Sequence, residues 1–130
     1  MSNGVVHFEI PADDPEKLVS FYTTLFDWKV QKIPMAGMDY WICQTMPTDD
    51  KGMVQEPGGI NGGIYKRQAD ERIINYVQVD SVDDYVQKAR SLGATVLLDK
   101  QAIPGIGFFA QLVDPQGNTF ALIQNAPGRE

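Results

Sequence analysis

Two residues near the start of the chain have types and spacing suited to chemistry. His7 is the only histidine among 130 residues, and Glu9 follows two positions later. Along a strand, side chains at i and i+2 share a face, so an imidazole and a carboxylate would stand side by side. Such a pair suits proton exchange with a bound molecule, because imidazole titrates near neutrality and a carboxylate can act as base or as acceptor for a hydroxyl. The bland alternatives are a histidine hydrogen-bonded within its strand and a carboxylate at the rim, solvated or paired with a basic side chain.

Around that pair, Tyr40, Tyr65, Tyr76 and Phe109 fall in stretches of strand character. Aromatic rings on a concave sheet can stack a planar ligand, with phenols as the few polar groups that orient it. Packing beneath helices is the competing role. Gln78 and Gln111 sit mid-strand, where an amide on a sheet face needs partners. Cys43 is the only cysteine, which excludes an intrachain disulfide and a cysteine zinc cluster. It reads as a small buried hydrophobe, since no nucleophile–base–acid set can be assembled around it. Gly58-Gly59 and Gly62-Gly63 lack the spacing of phosphate or dinucleotide loops; they serve turns, or clear space at Gly63.

These residues need elements to hold them. Val5 to Ile10 reads as a strand, followed by a helix that Asp14 caps and Pro15 opens, with Glu16 in its first turn. Leu18, Phe21, Tyr22, Leu25 and Phe26 form the apolar face of that helix. Trp28 to Ile33 is extended and Pro34 is expected to end it. Asp39 to Thr45 is a strand, Pro47 to Gly59 a loop, Ile60 to Lys66 a strand, and Gln68 to Arg72 a linker. The plan then repeats. Ile73 to Val79 is a strand, Asp80-Ser81 caps a helix with Val82, Tyr85, Val86, Ala89 and Leu92 inward, and Gly93 stops it. Thr95 to Leu98, Gly107 to Val113 and Thr119 to Gln124 are extended, separated by turns at Ile103-Pro-Gly105 and Asp114–Asn118.

Strand, helix and three strands therefore occur twice, and the spacing supports a duplication. Val5–Ile10 aligns with Ile74–Val79 at an offset of 69, and Ile33-Pro34 with Ile103-Pro104 at 70. The expected fold class is α+β: two tandem βαβββ modules, about 4–67 and 73–125, in one domain over 1–130.

Composition narrows the partners. A net charge of -6 and a pI near 4.6 leave no basic stripe for nucleic acid. No apolar run approaches the roughly 20 residues of a membrane span, and the N-terminus lacks the pattern of a signal peptide. A cytoplasmic protein is expected.

His7-Phe-Glu-Ile10 with Asp14-Pro15, Phe21-Tyr22 with Leu25-Phe-Asp-Trp28, Leu92-Gly-Ala94, and Asp114-Pro-Gln-Gly-Asn118-Thr-Phe120 occur in an order that resembles the vicinal oxygen chelate superfamily. That superfamily comprises glyoxalase I, bleomycin- and fosfomycin-resistance proteins and extradiol dioxygenases. The resemblance runs from Val5 to Gln124. It implies a cupped, incomplete β-barrel with the helices outside, and in metallo-members a divalent ion held from the first and last strands of each unit. The corresponding positions here are His7, Tyr76, Gly63 and Ala121, of which only His7 is a good ligand.

The resulting expectation is a glyoxalase/bleomycin-resistance-like protein, a homodimer, that binds a small organic molecule without the family metal or any cofactor. Its ligand would be held by His7, Glu9, Tyr40, Tyr65, Tyr76, Gln78, Phe109 and Gln111. One alternative is a lyase, transferase or dioxygenase working through His7 and Glu9. The other is a non-catalytic dimeric interaction module.

Overall fold

The computed structural model describes residues 3–35 and 37–127. The chain forms two compact units, His7–Ile73 and Ile74–Glu130, the latter together with Met1–Val6. The first carries β1 (Val5–Ala12) from His7 onward, α1 (Pro15–Phe26), β2 (Lys29–Met35), β3 (Met38–Gln44) and β4 (Asn61–Lys66). The second carries β5 (Ile74–Gln78), α2 (Val82–Ser91), β6 (Thr95–Ile103), β7 (Gly107–Val113) and β8 (Thr119–Asn125). The α+β class and the doubled βαβββ order are as the sequence implies.

Within the first unit the strand order is β2-β3-β4-β1, with β1 and β4 parallel and the other pairs antiparallel. The second unit repeats it as β5-β8-β7-β6, with β5 and β8 parallel. A parallel pair needs a long crossover, and the helix and two following strands of each unit supply it.

Both helices begin as expected. The Asp14 carboxylate accepts from Lys17 N at 3.2 Å, and Ser81 Oγ accepts from Asp84 N at 3.1 Å. The α2 start is further tied by Gln124 Oε1, which accepts from Val82 N. Each helix covers one face of its own sheet. Under α1 lie Ala12, Trp41, Cys43 and Ile64, with Ile10, Leu18, Val19, Tyr22, Trp28 and Val30 around them. Under α2 lie Val79, Val82, Val86, Ala110, Leu112 and Leu122.

Several expectations are corrected. The α1 stripe is broader than its seat: Leu18, Val19 and Tyr22 meet the sheet, whereas Phe21, Leu25 and Phe26 are more than half exposed. At about 100° per residue, Phe21 and Leu25 lie on the opposite flank from Val19, and the sheet covers only one flank. Leu92 is the C-cap rather than part of the inward face, and it is 71% exposed. Pro34 does not end β2, which continues to Met35 with Pro34 paired to Asp39. This strand has a single neighbour, and such an edge position tolerates a residue without an N–H. β6 runs on to Ile103, past the expected Leu98, by absorbing two register shifts. No helix among the described residues is long and apolar enough to cross a membrane.

Helix α1 ends on Asp27, held at φ 58 in the left-handed region, with its N–H donating to Thr23 O. Glycine has no Cβ penalty there. Asp27→Gly is expected to stabilise the fold by about 0.5–1 kcal/mol, read as a higher urea midpoint with unchanged slope.

Candidate functional site

Strand register decides which face each candidate residue occupies. In the first unit, Glu9 pairs with Gly63 and Gly63 with Ile42, while Tyr65 pairs with Pro11 and with Tyr40. His7 pairs with Asn61. Neighbours in register share a face and alternate residues change face. His7, Glu9, Tyr40, Ile42, Asn61, Gly63 and Tyr65 therefore lie opposite the face that α1 covers.

Three of these side chains meet. Tyr40 Oη donates to Glu9 Oε2 at 2.9 Å and lies 2.9 Å from His7 Nε2, while His7 Nε2 and Glu9 Oε2 are 3.9 Å apart. A phenol has one proton, and an ionised carboxylate can only accept. With that proton given to Glu9, His7 must donate from Nε2, which sets its neutral tautomer. The polarity runs imidazole N–H to phenol oxygen, phenol O–H to carboxylate.

Gly63 makes this geometry feasible. A Cβ at Gly63 would overlap the Tyr40 hydroxyl, Cζ and Cε1. The ring thus lies across β4 where a side chain at position 63 would stand, and only 8% of Tyr40 is exposed. The sequence suggested that Gly63 clears room. It did not suggest that Tyr40, read there as a stacking residue, would fill that room and become the hub. The available signal was a glycine on β4 close in register to a tyrosine on the adjacent strand.

Burial lowers the His7 pKa from 6.5 to about 4, because a charged imidazole loses hydration there. The Tyr65 phenol is pushed up by burial, then by the carboxylates of Glu71 and Glu9. Burial also pushes the Cys43 thiol up to about 11; it lies beneath α1, consistent with a packing role.

The His7 shift has a consequence for stability. Between about pH 4 and 6.5 the unfolded chain binds a proton at His7 that the native state does not, so stability rises with pH across this window. The contribution is complete above pH 6.5 and is lost as pH falls towards 4. With the imidazole 29% exposed, the expected size is about 2 kcal/mol. The difference in urea-unfolding free energy between wild type and His7→Gln, measured at pH 7.5, 5.5 and 4.5, should shrink by that amount. A pH-independent difference would contradict the assignment.

In the second unit, Tyr76 pairs with Ala121 and Gln111 with Ala121, while Gln78 and Phe109 both pair with Ile123. All four candidates therefore lie opposite the α2 face. Tyr76 is buried with Ile74, Ala121 and Ile123, with Phe109 against them at a ring distance of 6.3 Å. This face carries an aromatic and aliphatic cluster.

Register also corrects the correspondence between the units. The residue matching Ala121 is Asn61, which faces His7 as Ala121 faces Tyr76; Gly63 matches Ile123. The offset falls from 69 on the first strands to 60 on the last, because the 46–60 loop lengthens the first unit.

These residues do not fit a divalent ion. Asn61 is turned to the loop, its Oδ1 accepting from Thr45 N and its Nδ2 donating to Thr48 Oγ1, each at 2.8 Å. Gly63 offers no side chain, and the Tyr40 phenol bonds both His7 Nε2 and Glu9 Oε2. Among the described residues no three His, Cys, Asp or Glu side chains gather as a ligand set, where a protein site takes about three or four.

A groove also opens elsewhere on this unit. It is an open groove of about 770 Å³ beside the start of α1, with Ile10, Ala12, Leu18 and Phe21 among its apolar residues and Lys17 and Arg67 at its rim. Neither His7 nor Glu9 lines it, and Arg67 is engaged by Asp13 at 2.9 Å. The polar relay lies outside this groove.

Residues 6–123 match the model of the glyoxalase-like domain, and the chain belongs to that family, within the vicinal oxygen chelate superfamily. It is 26% identical over 121 residues to Putative glyoxylase CFP32 of Mycobacterium bovis and of Mycobacterium tuberculosis, covering 92% of this chain and 43% of each relative. The chain thus spans about two fifths of the length of these curated relatives. Among solved structures, hypothetical protein BH1468 from Bacillus halodurans matches with a TM-score of 0.70 at 15% identity, covering 100% of this chain and 99% of that one. Streptomyces coelicolor methylmalonyl-CoA epimerase, in complex with 2-nitronate-propionyl-CoA, matches with a TM-score of 0.70 at 16% identity, covering 98% and 97%. At these identities the two structures share the fold.

Proposed function

We propose that this glyoxalase-like protein binds a small organic molecule on the helix-free face of its first unit, without the family metal. The observation that carries the reading is the His7–Tyr40–Glu9 relay seated over Gly63. Polar groups that are partly buried yet satisfied by one another, on a sheet face with Ile42 and Tyr65, form the few-anchors-in-apolar-surroundings pattern of ligand sites. Tyr76, Gln78, Phe109 and Gln111 are the corresponding candidates on the second unit. The test is a fragment screen by amide chemical-shift mapping on isotope-labelled protein. Saturable shifts should centre on the amides of His7, Glu9, Tyr40 and Gly63. Shifts confined to the α1 groove, or none across a broad library, would sink the proposal.

A second reading is catalytic: a superfamily enzyme, of lyase, transferase or dioxygenase type, working through His7 and Glu9, of which metal-free proton transfer is the form these residues suit best. It is favoured by the relay itself, since a phenol between an imidazole and a carboxylate can pass a proton in either direction. It also draws on the epimerase that shares the fold. Turnover lost in both His7→Ala and Glu9→Ala would establish it. A cytoplasmic homodimer completes the proposal; exposed Phe21 and Leu25 on α1 offer an apolar surface for pairing.

A further inference from the structure

The groove beside α1 combines exposed apolar surface with uncommitted positive charge. Ile10, Leu18, Phe21 and Ile73 line it, and Phe21 and Ile73 are more than half exposed. Its charged residues are Asp13, Asp14, Lys17, Arg67 and Arg72, three cations against two carboxylates in a chain of net charge -6. Both carboxylates are engaged. Asp14 caps α1 at the positive end of the helix dipole by accepting from Lys17 N, and Asp13 takes Arg67 at 2.9 Å. Other donors of the Arg67 guanidinium go to the carbonyls of Glu71 and Pro11. Glu16, Asp70 and Glu71 do not line the groove; Glu16 lies 3.8 Å from Lys32, and Glu71 Oε1 accepts from Gln68 N. Lys17 and Arg72 are exposed and enter no ion pair among the described residues.

We propose that this groove is a second binding site, for a small amphipathic carboxylate whose apolar chain covers Phe21 and Ile73 and whose head is met by Lys17 and Arg72. The site is separate from the relay and does not rest on the reading given above for that face. Removing the exposed apolar surface from water supplies the attraction, and charge-assisted hydrogen bonds from the two free cations set the sign of the head group. The volume of about 770 Å³ falls within the roughly 300–1,000 Å³ of small-ligand sites. Arg67 ties the end of β1 to the segment after β4 through Asp13, Pro11 and Glu71, which fixes one wall in advance and limits the ordering that binding must impose.

Octanoate and octylammonium, matched in chain and opposite in charge, test this by amide-shift titration at pH 7.5 in 150 mM salt. The net charge of the chain favours the cation, so a preference for the anion must come from the groove. Octanoate should bind at least fivefold tighter, with saturable shifts at Leu18, Phe21 and Ile73. Lys17→Gln with Arg72→Gln, both on exposed side chains, should reduce the preference to twofold or less. Lys88→Gln with Arg90→Gln removes the same charge from α2 and should leave the preference intact. Equal or tighter octylammonium binding, a preference that survives in Lys17→Gln/Arg72→Gln, or an equal loss in both double variants overturns the proposal. So does the absence of groove shifts with about 20 mM octanoate. Shifts that follow protein concentration instead of probe would assign the groove to a second copy of the chain and overturn it too. None of these outcomes bears on the relay, which the amides of His7, Glu9, Tyr40 and Gly63 report separately.

Discussion

Gly63→Val is expected to destabilise the protein by about 4 kcal/mol. Valine is favoured over glycine in strands by up to about 1 kcal/mol, so ordinary propensity predicts the opposite sign. The difference lies in Tyr40, whose ring already occupies the position of a Cβ at residue 63. The added side chain must expel that ring. Overpacking contributes about 1–3 kcal/mol, and loss of the hydrogen bonds to Glu9 and His7 roughly 2–3 more. A double-mutant cycle separates this cause from a generic strand defect. In a Tyr40→Ala background the cost of Gly63→Val should largely vanish, because the clash partner is gone. An undiminished cost would mean that Gly63 is needed for some other reason.

Tyr40→Phe removes one oxygen and keeps the ring, and a loss of about 3 kcal/mol is expected. The hydroxyl is bonded to a carboxylate and to an imidazole at 2.9 Å each. Hydrogen bonds to charged groups contribute about 1.5–3 kcal/mol, and partly buried groups left without their partner cost a similar amount. Thermal and urea unfolding at pH 7.5 would measure it. A loss below about 0.5 kcal/mol would show that His7 and Glu9 find equivalent partners and that the phenol is not the hub. The same variant should also weaken any ligand whose shifts map to Glu9, because the carboxylate loses the bond that orients it.

Much of the fold was legible because local signals agreed with one another. Asp14-Pro15 and Ser81 mark helix starts, Gly93 marks a stop, and strand spacing repeats across the two halves. The misreadings came where tertiary context overrode a local rule. Pro34 stays in a strand because that strand has one neighbour. Phe21 and Leu25 are apolar yet exposed because the sheet seats only one flank of α1.

At the site, the sequence put forward His7 and Glu9 as a pair and named Tyr40 among eight ligand candidates. It could not show which face each strand turned to the helix, since alternation alone is silent on sign. Register supplied that: Trp41 and Cys43 pack under α1, so Tyr40 must face the other way. Nor could it place Asn61 opposite His7, because the inserted 46–60 loop shifts the offset between the halves by nine residues.

The central claim is that a phenol, and not a metal ion, holds His7 and Glu9 together. Calorimetric titration of untagged protein with Zn(II), Ni(II), Mn(II) and Fe(II) tests it most directly. The account predicts no binding tighter than about 0.1 mM, or roughly 5.5 kcal/mol. One ion bound per chain with higher affinity, and lost in His7→Ala, would contradict it and return the site to the metal chemistry of the superfamily.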